Sequence, residues 1–106
     1  KSNMIIYNIT VNIEESAQQE WLKWMSETHI KEVLNTGTFT SAKMSKVLVE
    51  EQMGGITYSI QYTCESQEKL DVYNKDFAPA LQAEHNNKFQ GKFVAFRTLM
   101  EVISEF

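Results

Sequence analysis

The order in which hydrophobic periods follow one another constrains this chain more than any motif in it. Apolar residues recur every second position, then at helical spacing, then in two further alternating runs, then at helical spacing, then in a last alternating run. From Ile5 to Ile13 the residues Ile5, Tyr7, Ile9, Val11 and Ile13 alternate with Ile6, Asn8, Thr10 and Asn12, which predicts a strand with one apolar face. Ser16 and Gln19 form a capping-box pattern, with Glu14 and Glu15 at the positive end of the helix it would start. That helix puts Trp21, Leu22, Met25, His29 and Val33 on one side and stops near Gly37, a good C-terminal cap.

A second, long amphipathic strand is expected from Phe39 to Glu51. Gln52-Met53-Gly54-Gly55 is then the hairpin signal, because paired glycines accept the positive φ of a tight turn. In the third strand Ile56, Tyr58, Ile60, Tyr62 and Cys64 face one way, and Thr57, Ser59, Gln61 and Thr63 the other. Ser66 can cap a second helix, with Glu65 and Glu68 at its start. Pro79 cannot lie deep inside that helix without breaking it, so the pattern predicts a kink or restart near Asp76, capped by Asp76, with Pro79 in its first turn. Phe77, Leu81, His85 and Phe89 form a buried stripe, Gly91 closes the helix, and Phe93 to Ile103 is the last strand.

Two right-handed β-α-β crossovers around a hairpin give an α+β, ferredoxin-like βαββαβ fold. It has a four-stranded antiparallel sheet with both helices on one face, strands one and three central and strands two and four at the edges. At 106 residues the chain has room for one core, expected as a single domain over residues 4–106. Lys1-Ser2-Asn3 reads as a vector-derived remnant ahead of a native start at Met4.

Composition narrows the function classes. Hydrophobic residues are 42% and charged residues 23%, as in ordinary globular proteins and unlike disordered ones. The formal charge is -4 and the ten Lys and Arg are scattered, so nucleic acid is a poor partner. No stretch approaches the ~20 apolar residues of a membrane helix. The first apolar run, Met4 to Val11, is interrupted by Asn8 and Thr10 and is no signal peptide, so the cytoplasm is the default location. Cys64 is alone, which leaves no internal disulfide and no thiolate metal cluster.

The helices should cover the side carrying Ile9, Val11, Tyr58, Ile60 and Tyr62, leaving Asn8, Thr10, Asn12, Ser59, Gln61 and Thr63 on the bare side. The last strand offers Val94, Phe96, Thr98 and Met100 to one side and Phe93, Ala95, Arg97 and Leu99 to the other. A solvated bare face is common for antiparallel sheets. A homodimer closed sheet to sheet is the preferred expectation, since long edge strands need covering.

The stretches MIIYNITVNI at Met4–Ile13, WLKWM at Trp21–Met25, HIKEVLNTGTF at His29–Phe39, GGITYSIQY at Gly54–Tyr62 and FRTLMEV at Phe96–Val102 carry a resemblance. The chain resembles a family of small bacterial proteins known only as a domain of unknown function, within the dimeric α/β-barrel group. One departure is Lys31 where the family pattern has proline after His29-Ile30. The resemblance implies the fold and a homodimer. It implies no established reaction and supplies no catalytic residues.

Candidate pocket residues are Asn8, Trp24, His29, Tyr58, Tyr62, His85 and Arg97. His29 and His85 lie on apolar helix faces, where a histidine is usually a core residue bonded to a backbone carbonyl; an acid, base or metal ligand is the other role. Both fall in the C-terminal halves of antiparallel helices, which predicts opposite ends of the subunit. No shared metal site is therefore expected, and no metal-ligand spacing such as H-E-x-x-H is present. Trp21, Trp24, Tyr58, Tyr62, Phe77 and Phe89 are expected as core, with a pocket for a flat ligand as the alternative. Arg97 should pair with Glu101 or bind a ligand carboxylate. Cys64 reads as packing. Gly54-Gly55 is a turn and not a phosphate loop, and no G-x-S-x-G elbow is present.

The leading expectation is a homodimer that binds a small ligand or a protein partner, without established catalysis or cofactor. A purely structural module with no pocket is a weaker one. The alternative from the resemblance is a monooxygenase of the haem-degrading or antibiotic-biosynthesis type, with a pocket between helices and sheet. For a haem-degrading member the resemblance implies Asn8 on the first strand and His85 as iron ligand. The expected tryptophan has no counterpart, and Tyr62 or Tyr73 would have to serve.

Overall fold

The computed structural model describes residues 3–52 and 54–106. Lys1, Ser2 and Met53 lie outside the described residues, and with them part of the expected vector-derived remnant and of the hairpin signal. Strand β1 is Ile5–Ile13 and β3 is Ile56–Cys64, as the alternation predicts. Strand β2 is Ser41–Lys46 and β4 is Phe93–Glu101. The sheet order is β2-β3-β1-β4 with every pair antiparallel, and the central strands are β1 and β3. This is the ferredoxin-like arrangement.

Strand β2 is shorter than the expected Phe39 to Glu51. Its register pairs Lys46 with Tyr58. Extended, that register would soon pair residues too close in sequence for a strand, so the chain leaves the sheet after Val47 bonds Thr57. The hairpin is thus a wide loop. Gly54 and Gly55 do take positive φ, and a Cβ on Gly55 would run into the amide of Asn12. β4 likewise ends at Glu101, short of Ile103.

Helix α1 (residues 18–34) is Gln18–Trp24, a wider turn Met25–His29, and Ile30–Leu34. In the wide turn the Ile30 N–H reaches back five residues to Met25 O. Lys31 simply continues the helix. The expected capping box does not form. Residues Glu15–Ala17 make a tight turn first, and the Ser16 hydroxyl donates to the Glu14 carboxylate at 2.8 Å instead of capping a backbone N–H.

Helix α2 (residues 67–88) is Gln67–Val72, a wide turn Tyr73–Phe77, and Ala78–Lys88. Ser66 caps it as predicted, accepting from Lys69 N at 3.2 Å. Asp76 does not cap a restart. The widened turn, in which Ala78 N–H bonds Tyr73 O, carries the helix into Pro79, whose ring and missing N–H an unbroken α-helical ladder would not accept.

The core fills the space between helices and sheet. Tyr7, Val11, Ile13, Tyr58, Ile60 and Tyr62 meet Trp21, Met25, Val33, Leu70, Tyr73 and Phe89. Cys64 is buried, with its thiol between Thr38 O at 3.4 Å and Ser66 O at 3.2 Å, which is a packing role. The register sets Val94, Phe96, Thr98 and Met100 opposite Asn12, Thr10, Asn8 and Ile6, on the bare face. Val94 is 70% exposed and Phe96 63%. Among the described residues no helix is long and apolar enough to cross a membrane.

Candidate functional site

A cavity of about 330 Å³ opens between the sheet and the helices. Its floor is Tyr7, Ile9 and Val11 of β1, Ile60 and Tyr62 of β3, and Ala95 and Arg97 of β4. Met25, His29, Tyr73, Gln82, His85 and Asn86 reach it from the helices. Met25, His29 and Tyr73 belong to the two wide turns. Such turns admit one extra residue and re-aim the side chains around it, which is why they recur at functional sites.

Two polar side chains meet at the Tyr7 hydroxyl. Arg97 Nε donates to it at 3.0 Å and Gln82 Nε2 at 3.5 Å. With its oxygen accepting, Tyr7 still has its own hydrogen to offer a ligand. The Tyr7 ring is held by Phe39, stacked at 5.8 Å, and by Tyr73, edge-on at 5.7 Å. The expected Arg97–Glu101 pair does not form. The two lie four residues apart on one strand, roughly 13 Å along it, whereas Tyr7 is a diagonal neighbour of Arg97. Glu101 accepts from Asn3 instead. Among the described residues Arg97 makes no ion pair.

His85 is buried and accepts at Nε2 from the Trp21 indole N–H at 2.9 Å. A neutral ring accepting there carries its proton on Nδ1. Burial pushes its pKa down to about 4, helped by the neighbouring positive charges of His29 and Arg97. His29 is also lowered by burial, with Glu32 opposing. Its ring stacks on Trp24 at 4.7 Å and lies 5.7 Å from His85.

That last distance overturns the expected separation of the histidines. The helices are antiparallel but staggered: Glu20 meets Lys88 and His29 approaches Glu84. α1 therefore packs on the C-terminal half of α2, and both rings share one site.

Of the seven predicted pocket residues, His29, Tyr62, His85 and Arg97 line the cavity. The Tyr62 hydroxyl is buried with no partner among the described residues, and its pKa is raised by burial and then by Tyr73 and Tyr7. Trp24 stands behind the cavity, against His29 and Phe89. Tyr58 packs on Trp21 and accepts from Gln18 at 2.7 Å. Asn8 is on the bare face, accepting from Ser59 and donating to Thr10. It cannot share a pocket with His85 in one subunit, because the sheet separates them. The residues present therefore do not form the haem site that the resemblance implies, the more so since His85 Nε2 is taken by Trp21.

Tyr7, Gln82 and Asn86 are cavity residues that the sequence reading missed. Tyr7 was legible as a face-mate of Tyr62, directly opposite it in the register. Gln82 and Asn86 gave no signal, since polar residues on a helix read as solvated.

The fold has solved counterparts. A dimeric ferredoxin-like protein from an uncultured marine organism matches with a TM-score of 0.72 and 18% identity, covering 97% of this chain and 97% of that chain. SnoaB, a cofactor-independent oxygenase from Streptomyces nogalater, matches with a TM-score of 0.71 and 8% identity, covering 98% and 97%. An ethyl tert-butyl ether D (EthD) family protein from Bacillus halodurans matches with a TM-score of 0.68 and 15% identity, covering 93% and 99%. At these identities the likeness is one of fold. No curated protein matches by sequence. A family model described as a domain of unknown function (DUF4286) matches residues 4–103, nearly the whole fold built above, and the chain belongs to that family.

Proposed function

We propose that this protein is a homodimer that binds a small, flat, acidic molecule in the cavity between its helices and its sheet. The observation that carries the reading is an aromatic-walled cavity of about 330 Å³ on whose edge Arg97 stands without a carboxylate partner. Ligand pockets occupy roughly 300–1,000 Å³ and pair apolar walls with a few convergent polar groups. The remaining guanidinium N–H groups can take a carboxylate or phenolate. The Tyr7 hydroxyl and the His85 Nδ1–H can then donate to a second oxygen. An uncompensated cation in a chain of charge -4 suits an anionic ligand. The reading takes the cytoplasm as the compartment.

The dimer rests on the exposed apolar strip of Val94, Phe96 and Met100 on the bare face, and on a fold shared with a dimeric ferredoxin-like protein. Phe96→Glu should therefore yield a monomer in light scattering. A dimer unaffected by it would move the interface elsewhere.

Native mass spectrometry of gently purified protein tests the main reading. The expected result is a dimer with retained extra mass, which Arg97→Gln reduces at least about tenfold in occupancy, the loss expected for a charge-assisted contact. Retained mass that Arg97→Gln leaves unchanged would sink the site. A second reading is a monooxygenase acting on the bound molecule. The fold shared with SnoaB and the His29 ring on the cavity wall favour it. It predicts oxygen uptake when the retained molecule is added back.

A further inference from the structure

Behind the cavity, where α1 and α2 face each other, His29, Glu32 and Glu84 bring one ligand atom each to within 4.8 Å of one another. His29 and Glu32 are one turn apart on α1, so they project from the same face. Glu84 comes from α2. The His29 side chain is only 9% exposed, and its Nδ1 finds no hydrogen-bond partner among the described residues. Glu84 Oε1 lies 3.6 Å from it, too far for a hydrogen bond. Glu32 Oε1 is likewise buried and unpartnered. Two orphan polar atoms side by side are rare in a folded protein and call for an explanation.

We propose that His29 Nδ1 and the carboxylates of Glu32 and Glu84 form a binding site for a divalent transition-metal ion. One cation gives both orphan atoms a partner at once and neutralises two adjacent carboxylates. One imidazole and two carboxylates are a mixed nitrogen–oxygen set suited to zinc, manganese or iron(II), with positions left for water. Bonds of roughly 2.0–2.2 Å need ligand atoms roughly 3–4 Å apart. The 3.6 Å between His29 Nδ1 and Glu84 Oε1 already lies in that range, and side-chain rotation of the half-buried Glu32 and the exposed Glu84 can bring the set together. The same exposure is the entry path for the ion.

The sequence expectation of no metal site rested on the separation of the two histidines, the lone Cys64 and the absence of a ligand-spacing motif. This set uses one histidine and two glutamates, the second of them 55 positions from His29 in the chain, so no spacing motif announces it. With Nδ1 on the cation, the ring proton of His29 sits on Nε2, so the ion would also fix the tautomer of a ring that borders the cavity.

The test is calorimetric titration of EDTA-stripped protein with ZnCl2 alone and with MnCl2 alone, alongside thermal unfolding. The expected result is one Zn²⁺ per chain and a higher melting temperature in its presence. Glu84→Gln and Glu32→Gln should each weaken Zn²⁺ binding at least about tenfold while leaving the circular dichroism of the metal-free protein unchanged. Arg97→Gln should bind Zn²⁺ as wild type does, which separates this site from the cavity ligand. No Zn²⁺ or Mn²⁺ binding at millimolar concentration would overturn the proposal. So would Zn²⁺ binding that both glutamate substitutions leave intact.

Discussion

Trp21→Ala should cost about 3–5 kcal/mol, the largest loss expected from any single side chain here. Trp21 is fully buried and is the largest such residue in the chain. Its ring lies 5.2 Å from Tyr58 on the sheet and 6.4 Å, edge-on, from His85 on the other helix. Truncation removes that packing and leaves a hole that rigid neighbours fill only in part. It also strips His85 Nε2 of its donor. A domain of this size has roughly 5–15 kcal/mol of total stability, so the variant should be close to unfolding at body temperature. Trp21→Phe keeps most of the ring and should cost about 1–2 kcal/mol. Urea unfolding near neutral pH measures both. A loss below about 1 kcal/mol for Trp21→Ala would mean that the cavity wall collapses onto the gap.

Acid should weaken the fold through His85 before most carboxylates titrate. The unfolded chain takes up this proton near pH 6.5, the folded chain only near pH 4. Between those values the unfolded state binds more protons, so stability falls as pH falls, and above pH 6.5 this group contributes no slope. The expected loss across the window is about 2 kcal/mol, because water entering the cavity screens the ring and discounts the full shift. His29 is lowered as well and acts with the same sign. The raised Glu32 acts oppositely, since the folded state then prefers its protonated form. His85→Gln keeps an acceptor for the Trp21 indole but does not titrate. Urea unfolding at about pH 7.5 and about pH 4.5 should show wild type losing about 2 kcal/mol more than His85→Gln. Equal losses would mean that His85 protonates in the folded protein as readily as in the unfolded one.

The alternation of β1 and β3, the stripe on α1 and the Ser66 cap were all legible because they are local. Each follows from one backbone period or one side-chain-to-backbone bond. The end of β2 was not legible, because it depends on which residue of β3 stands opposite. Neither was the passage of α2 through Pro79, since a proline signal says that the α-ladder fails but not that a wide turn will carry the helix on. The capping box failed for a similar reason: a tight turn precedes the helix, and there the Ser16 hydroxyl donates to the Glu14 carboxylate while its oxygen caps no backbone N–H.

The candidate site divides along the same line. Its aromatic floor could be read from Tyr58 and Tyr62 on one alternating face, although Tyr58 then packs on Trp21 and away from the cavity. The partnership of Arg97 with Tyr7 depends on the pairing of β4 with β1, which no local pattern encodes. The meeting of His29 with His85, and of His29 with Glu84, depends on the stagger between two helices. By itself the sequence determined the order of elements, the face each strand buries and hence the ferredoxin-like fold, because hydrophobic period and chain chirality act over a few residues. Only the tertiary structure decided which polar groups converge. Strand register and helix stagger are set by how large side chains such as Trp21 and Tyr7 interlock across elements, and a shift of one position would send each of those polar groups elsewhere.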